Sequence, residues 1–187
     1  MFARIKTRIL FELNRLFRPS MYTLKSNNGR RLNDTRISNT SYIGCIKQLN
    51  IADNVFIGHY NFIDACNGIT IEEGCQITNY ISILTHSSHI AIRLYGKEYT
   101  NTKDKIAYNE GSVEIGKYTF VGPHSTIMPG TKIGAGSIIA AYSYVKGEFP
   151  DFSIISGNPA IVVGDTRNLD DAYLKEHPEL KLTYFSV

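Results

Sequence analysis

Five histidines, His59, His86, His89, His124 and His177, are the residues of this chain best suited to moving protons near neutrality. A neutral imidazole, with an ordinary pKa near 6.5, can take the proton of a hydroxyl whose own pKa lies far above 7 and so make it a nucleophile. His86 and His89 stand close together in Thr85-His86-Ser87-Ser88-His89, at the root of a long segment, residues 84–112, that breaks an otherwise regular pattern. Long ordered loops on a rigid scaffold commonly carry function. A histidine base is normally oriented by a carbonyl or carboxylate on its second nitrogen. Asp64 offers such a carboxylate; it could equally contact an acceptor, or bond local backbone as corner aspartates do.

The pattern that the segment breaks has a period of six. Ile115, Val121, Ile127, Ile133, Ile139 and Val145 recur at every sixth position, and Thr119, Ser125, Thr131, Ser137 and Ser143 each follow four places behind. A helix would repeat at 3.6 and an ordinary strand at 2. A period of six suits a short flat strand that turns and repeats, so that three hexads close one triangular coil. The aliphatic residue then fills the prism, the small one fits near a corner, and glycine at Gly116, Gly122 and Gly134 eases the turns. Ile51, Ile57 and Ile63 carry the same beat upstream, as do Ile71, Ile77 and Ile83, while Ile37 and Ile43 read as an incomplete earlier turn. Two extra residues before Ile51 and two more before Ile71 are corner insertions, which a stacked solenoid tolerates. The expected core comprises Ile51, Ile57, Ile71, Ile77, Ile115, Val121, Ile133 and Ile139, in about four full coils.

Composition sets wider limits. At 187 residues, 43% hydrophobic and 20% charged, the chain is expected to form one soluble domain with a substantial core. Nothing approaches the roughly 20 consecutive apolar residues that cross a bilayer. Cys45, Cys66 and Cys75 are odd in number and contain no CxxC, which predicts reduced thiols in the cytosol, with Cys75 as core filler. Charge is uneven: residues 1–36 hold nine Lys or Arg against Glu12 and Asp34. On a helical wheel of residues 2–18, Phe2, Ile5, Ile9, Leu10, Leu13, Leu16 and Phe17 fall on one side and Arg4, Arg8, Arg15 and Arg18 on the other, with Lys6 and Phe11 on the wrong sides, and Pro19 ends the helix. Such a helix can cap the open end of the solenoid or lie on an anionic membrane surface. No nucleic-acid-binding motif accompanies the charge, so nucleic acid is not an expected partner.

The stretch 115–160, IGKYTFVGPHSTIMPGTKIGAGSIIAAYSYVKGEFPDFSIISGNPA, with its ending Gly157-Asn158-Pro159-Ala160, resembles the hexapeptide-repeat acyltransferases, and within them the bacterial sugar O-acetyltransferases. The resemblance covers residues 37–163 and implies an all-β solenoid, a left-handed parallel β-helix from which the loop 84–112 is extruded. A basic amphipathic helix and linker (1–36) precede it and a short extension (164–187) follows. It further implies acetyl-CoA as co-substrate with no metal, and a homotrimer with active sites between subunits. The family carries its catalytic histidine at the root of the loop, which assigns the general base to His86; His89, Asp64 and Tyr95 are then expected to face the acceptor. Ala141, Lys146 and Gly147 match family positions that contact the cofactor, and Pro123 and His124 share a corner column with Ala141. Where the family often has a Lys or Arg after the closing Gly-x-Pro, this chain reads Ile161-Val162-Val163-Gly164, leaving Lys146, or more weakly Arg167, for the phosphates. The expected acceptor is a sugar hydroxyl in surface-polysaccharide biosynthesis, free or on a lipid-linked glycan. An amino sugar, serine or an antibiotic are the alternatives. The expected location is cytoplasmic, with peripheral attachment to the inner membrane through residues 2–18 as a further expectation. β-Helix carbonic anhydrases bind zinc through three histidines, two of them separated by four residues. Here His86 and His89 have only two residues between them, which argues against zinc.

Overall fold

The computed structural model describes residues 2–185; within these, the side chains of residues 2–4, 15 and 16 lie outside the description, and with them the expected wheel positions of Phe2, Arg4, Arg15 and Leu16. The period-six pattern becomes a three-faced parallel β-helix. The first face stacks Arg36–Ser38, Phe56–Ile57, Gln76–Ile77, Phe120–Val121, Ile138–Ile139 and Ser153–Gly157. The second stacks Tyr42–Gly44, Phe62–Asp64, Ser82–Leu84, Thr126–Ile127 and Tyr144–Val145. The third stacks Leu49–Ile51, Ile69–Ile71, Val113–Ile115, Lys132–Ile133 and Glu148–Phe149. Five complete coils and the start of a sixth result, one more than the repeats suggested, because Ile37 and Ile43 belong to a complete first coil closed by Leu49 and Ile51.

Packing explains why the repeat takes this form. Each beat residue from Ile115 to Val145 is at most 4% exposed, and residues in register stack aliphatic on aliphatic, as in Ile43, Ile63, Ile83, Ile127 and Val145. The small hydroxylated residues are buried too, and each finds a carbonyl at a corner: Ser125 Oγ donates to Ala140 O at 3.0 Å, Thr131 Oγ1 to Met128 O at 2.7 Å and Ser143 Oγ to Ala140 O at 2.7 Å. In the lower coils the columns of Thr119 and Ser125 hold Val55, Cys75, Asn61 and Ile81, also buried, so the hydroxyl is a feature of the upper coils. Among the described residues no buried side-chain polar atom lacks a partner. Gly122 is required by close approach, since a Cβ there would lie 2.6 Å from Ala141 N.

Both ends of the stack are sealed. At the base, Met21–Thr23 pairs antiparallel with Arg36–Ser38, Leu24 packs on the core and Leu32 is 2% exposed. Asn27 Oδ1 and the Asn28 amide take up the Ile51 N–H and the Leu49 carbonyl, and Asp53 accepts the amides of Asn33 and Asp34. Those amides, that of Asp34 foremost, hold the Asp53 carboxyl well below its usual range. The cap is thus residues 20–35, not the amino-terminal helix α1 (Phe2–Phe17), whose described apolar side chains are exposed. At the other end, Ala160–Asp165 turns back antiparallel on Ser153–Gly157 through a cis Asn158–Pro159 bond. A helix, Thr166–Glu176, capped by the Asp165 carboxylate, then leads to Phe185, which packs on Tyr118 and Phe152. No described helix is long and apolar enough to cross a membrane.

The cysteines depart from expectation. Cys75 is buried in the core, as its position in the repeat predicts, and burial pushes its thiol up to about 12. Cys45 and Cys66 instead form a disulfide. Tyr42–Gly44 pairs in register with Phe62–Asp64, 20 positions on, so residues 45 and 66 meet at one corner although 21 apart in sequence.

Candidate active site at the second corner

His86 emerges where the second face turns toward the third. The chain leaves the prism at Leu84, which pairs with Asp64 on the coil beneath. Thr85, fully buried, anchors the exit: its Oγ1 donates to Asp64 O at 2.9 Å and accepts the Asn67 amide at 3.0 Å. His86–Ser87 then pairs antiparallel with Asn109–Glu110, so the two ends of the loop form a short ribbon that fixes the imidazole.

Asp64 lies within hydrogen-bond reach of that imidazole. Its Oδ2 is 2.6 Å from His86 Nδ1, and its Oδ1 accepts the Cys66 amide at 3.3 Å. The Asp64 side chain is 8% exposed and that of His86 42%, so a buried carboxylate holds one ring nitrogen while the ring itself reaches solvent. The Tyr108 ring stacks on the imidazole at 5.8 Å. Burial, with Tyr99, Glu110 and Asp64 nearby, pushes the Tyr108 phenol up and keeps it protonated. Tyr108 also lines a loop cavity of about 580 Å³ with Tyr99, Lys105 and Glu110, a volume within the usual range for small-ligand sites.

The other expected residues take separate places. His89 is exposed, with Nδ1 2.8 Å from Ser87 Oγ. Tyr95 packs the loop, its hydroxyl accepting the Ile106 amide at 2.8 Å. Lys146 and Gly147 follow Val145, two coils above Ile83, and so share the His86 corner, roughly 10 Å along the stack at the usual strand spacing. Pro123, His124 and Ala141 stand on the opposite corner of the same face. There His124 lies between the rings of Tyr80 and Tyr142, 4.8 Å from each, in a ladder continued by Tyr60. His59 is at that corner too, bonded to Ser38, so the third histidine of the zinc reading, His59 or His124, is kept a full face away from His86. Among the described residues the one cluster with metal-ligand geometry is Cys45, Asp64 and Cys66, in which both thiols are spent on the disulfide.

Two features were missed from the sequence. Tyr108 lies in the loop, outside any repeat. The Cys45–Cys66 contact was accessible through the 20-residue length of the lower coils.

Residues 112–147 match the family model described as bacterial transferase hexapeptide (six repeats). That stretch carries the six-residue repeat, and the solenoid built on it is similar in fold to the β-helix of proteins with this repeat. The chain is 29% identical, over 60% of its own length, to WbbJ of Escherichia coli (strain K12), a protein named for lipopolysaccharide biosynthesis O-acetyl transfer, and it spans 58% of that relative. Among solved structures it resembles a hexapeptide-repeat-containing acetyltransferase of Vibrio cholerae, with a TM-score of 0.64 and 21% identity over 74% of each chain. A galactoside acetyltransferase in complex with coenzyme A gives a TM-score of 0.61 at 21% identity, covering 70% of this chain and 62% of that one.

Proposed function

We propose that this protein is an acetyl-CoA-dependent O-acetyltransferase acting on a sugar hydroxyl in surface-polysaccharide biosynthesis, with His86 as general base. The observation that carries the proposal is the 2.6 Å contact between the buried Asp64 carboxylate and His86 Nδ1 at the root of the loop. Asp64 accepts the Nδ1 proton, which leaves Nε2 with its lone pair facing outward. Nε2 takes the proton of the acceptor hydroxyl as that oxygen attacks the thioester carbonyl of acetyl-CoA. The tetrahedral adduct then collapses, the carbon–sulfur bond breaks, and the coenzyme A thiolate leaves with the proton returned by the imidazolium. Asp64, assigned on sequence grounds to the acceptor, is a positioning residue in this scheme: its Oδ2 is occupied by the imidazole, and it stabilises the cation that forms.

Lys146 supports the placement of coenzyme A along the second face, as an exposed cation on the His86 corner. The cavity lined by Tyr99 and Tyr108 supports an acceptor that stacks on aromatic rings. The name of the relative WbbJ supports a polysaccharide sugar over serine, an amino sugar or an antibiotic. Exposed Tyr42, Phe62 and Phe120 on the first two faces support assembly into a homotrimer, with the coenzyme bound between subunits.

The test is thiol release from acetyl-CoA with a panel of acceptors, products being read by mass spectrometry. His86→Ala should lower kcat by about 10²–10⁴-fold, the usual contribution of a positioned base. His89→Ala should be milder and act on acceptor KM. A dead His89→Ala beside a near-normal His86→Ala reverses the assignment, and full activity in both removes it.

A further inference from the structure

None of the described side chains of helix α1 belongs to the hydrophobic core. The base of the solenoid is closed by residues 20–35, and α1 is joined to that base at the Met21–Thr23 strand. Its described large apolar side chains remain in solvent, among them Ile5 at 49% exposed, Ile9 55%, Leu10 52%, Leu13 44% and Phe17 80%. Their spacing at i, i+4 and i+8 puts them on one side of a 16-residue helix. Residues 2–18 carry Arg4, Lys6, Arg8, Arg15 and Arg18 against one acidic residue, Glu12, and the sequence sets the four arginines opposite the apolar stripe. At about 1.5 Å per residue the helix is some 24 Å long, short of the roughly 30 Å hydrocarbon core, and its charges forbid burial there. Lys6 within the stripe and Phe11 among the arginines blur the division, but the remaining apolar residues on one side and the four arginines on the other fit the boundary between acyl chains and anionic headgroups.

We propose that α1 lies in the headgroup plane of an anionic bilayer and holds the base of the solenoid against it. Stacking supplies the consequence for the active site. His86 leaves the third coil, two coil steps, or about 10 Å, above the first. An acceptor glycan anchored by a lipid in the same bilayer would present its sugars at that height. The proposal concerns binding, not catalysis, so His86→Ala should bind vesicles as the unaltered protein does.

The chain contains no tryptophan, so Phe17→Trp provides a single fluorescent reporter on the stripe. The full-length protein should co-sediment with phosphatidylcholine vesicles containing phosphatidylglycerol, and the emission of the Phe17→Trp variant should shift to the blue. Each Lys or Arg near an anionic surface contributes about fivefold in affinity, so three engaged cations predict roughly 100-fold weaker binding to pure phosphatidylcholine. Raised salt should weaken binding, and Leu13→Glu, at an exposed position, should abolish it without moving the melting temperature. No binding, equal binding to both vesicles, or retained binding by Leu13→Glu would overturn the proposal. An assembly mass that falls on Leu13→Glu while the unaltered protein ignores vesicles would assign the stripe to contact between copies of the chain instead.

Discussion

Replacing Asp64 by asparagine removes one charge and leaves the shape of the corner nearly unchanged, yet no orientation of the amide restores the network. The carboxylate accepts at Oδ2 from His86 Nδ1 and at Oδ1 from the Cys66 amide. If the asparagine turns its oxygen to His86, its NH₂ group meets the Cys66 N–H, donor against donor. If it turns the NH₂ to His86, Nδ1 must accept, the ring proton moves to Nε2, and the base cannot take a proton. A hydrogen bond to a charged group contributes about 1.5–3 kcal/mol, so kcat should fall roughly 10- to 150-fold. Loss of the charge that stabilises the imidazolium in the transition state would push the value toward the upper end. The decisive measurement is a double-mutant cycle in the thiol-release assay. Because Asp64 acts through His86, adding Asp64→Asn to His86→Ala should cost little more than His86→Ala alone. Multiplicative losses would mean that Asp64 has its own contact with substrate, and a fully active Asp64→Asn would refute the dyad.

Three further outcomes are expected. Thiol titration of the unreduced protein should find no reactive thiol when native, since Cys75 is buried with its pKa pushed up to about 12, one thiol on unfolding, and three after reduction; three thiols without reduction would remove the disulfide, and disulfides persist in oxidising surroundings, so the same titration bears on the cytoplasmic placement. Asp53→Asn should lower the melting temperature at neutral pH. The folded carboxyl titrates below its unfolded value, so its contribution is present above about pH 4 and is lost as pH falls, and the gap between variant and unaltered protein should close in acid, as read by thermal melts across pH. Light scattering at micromolar concentration should give three times the 21.0 kDa chain mass, and a fully active monomer would contradict the trimer.

The core could be read from sequence because a solenoid repeats one local environment. Ile115, Val121 and Ile133 see the same prism, so the pattern is a direct imprint of burial. The sealed ends have no such period. Residues 20–35 close the base through particular bonds, such as Asn27 to the Ile51 amide and Asp53 to two backbone amides, and an amphipathic helix nearby offered a simpler cap that the structure does not use. His86 was legible because it interrupts the repeat. The part played by Asp64 was only half legible, since it depends on Leu84 pairing with a residue 20 positions earlier across a coil lengthened by two. Tyr108 was not legible, because the fold of the 84–112 loop sets its place against His86 and no repeat does.

A pile of identical parallel coils has no intrinsic length; each end would accept another coil, from its own chain or from a neighbour. Here Met21–Thr23 and Ala160–Asp165 run against the grain of the stack. A parallel strand from another molecule finds the first face already taken at both ends. Growth of this architecture is therefore confined to its interior, where a whole coil can be gained or lost between existing ones while both lids stay in place. Loss of either lid would expose an edge that pairs with its copies, so fibre formation, rather than simple unfolding, is the failure to which such truncations are directed.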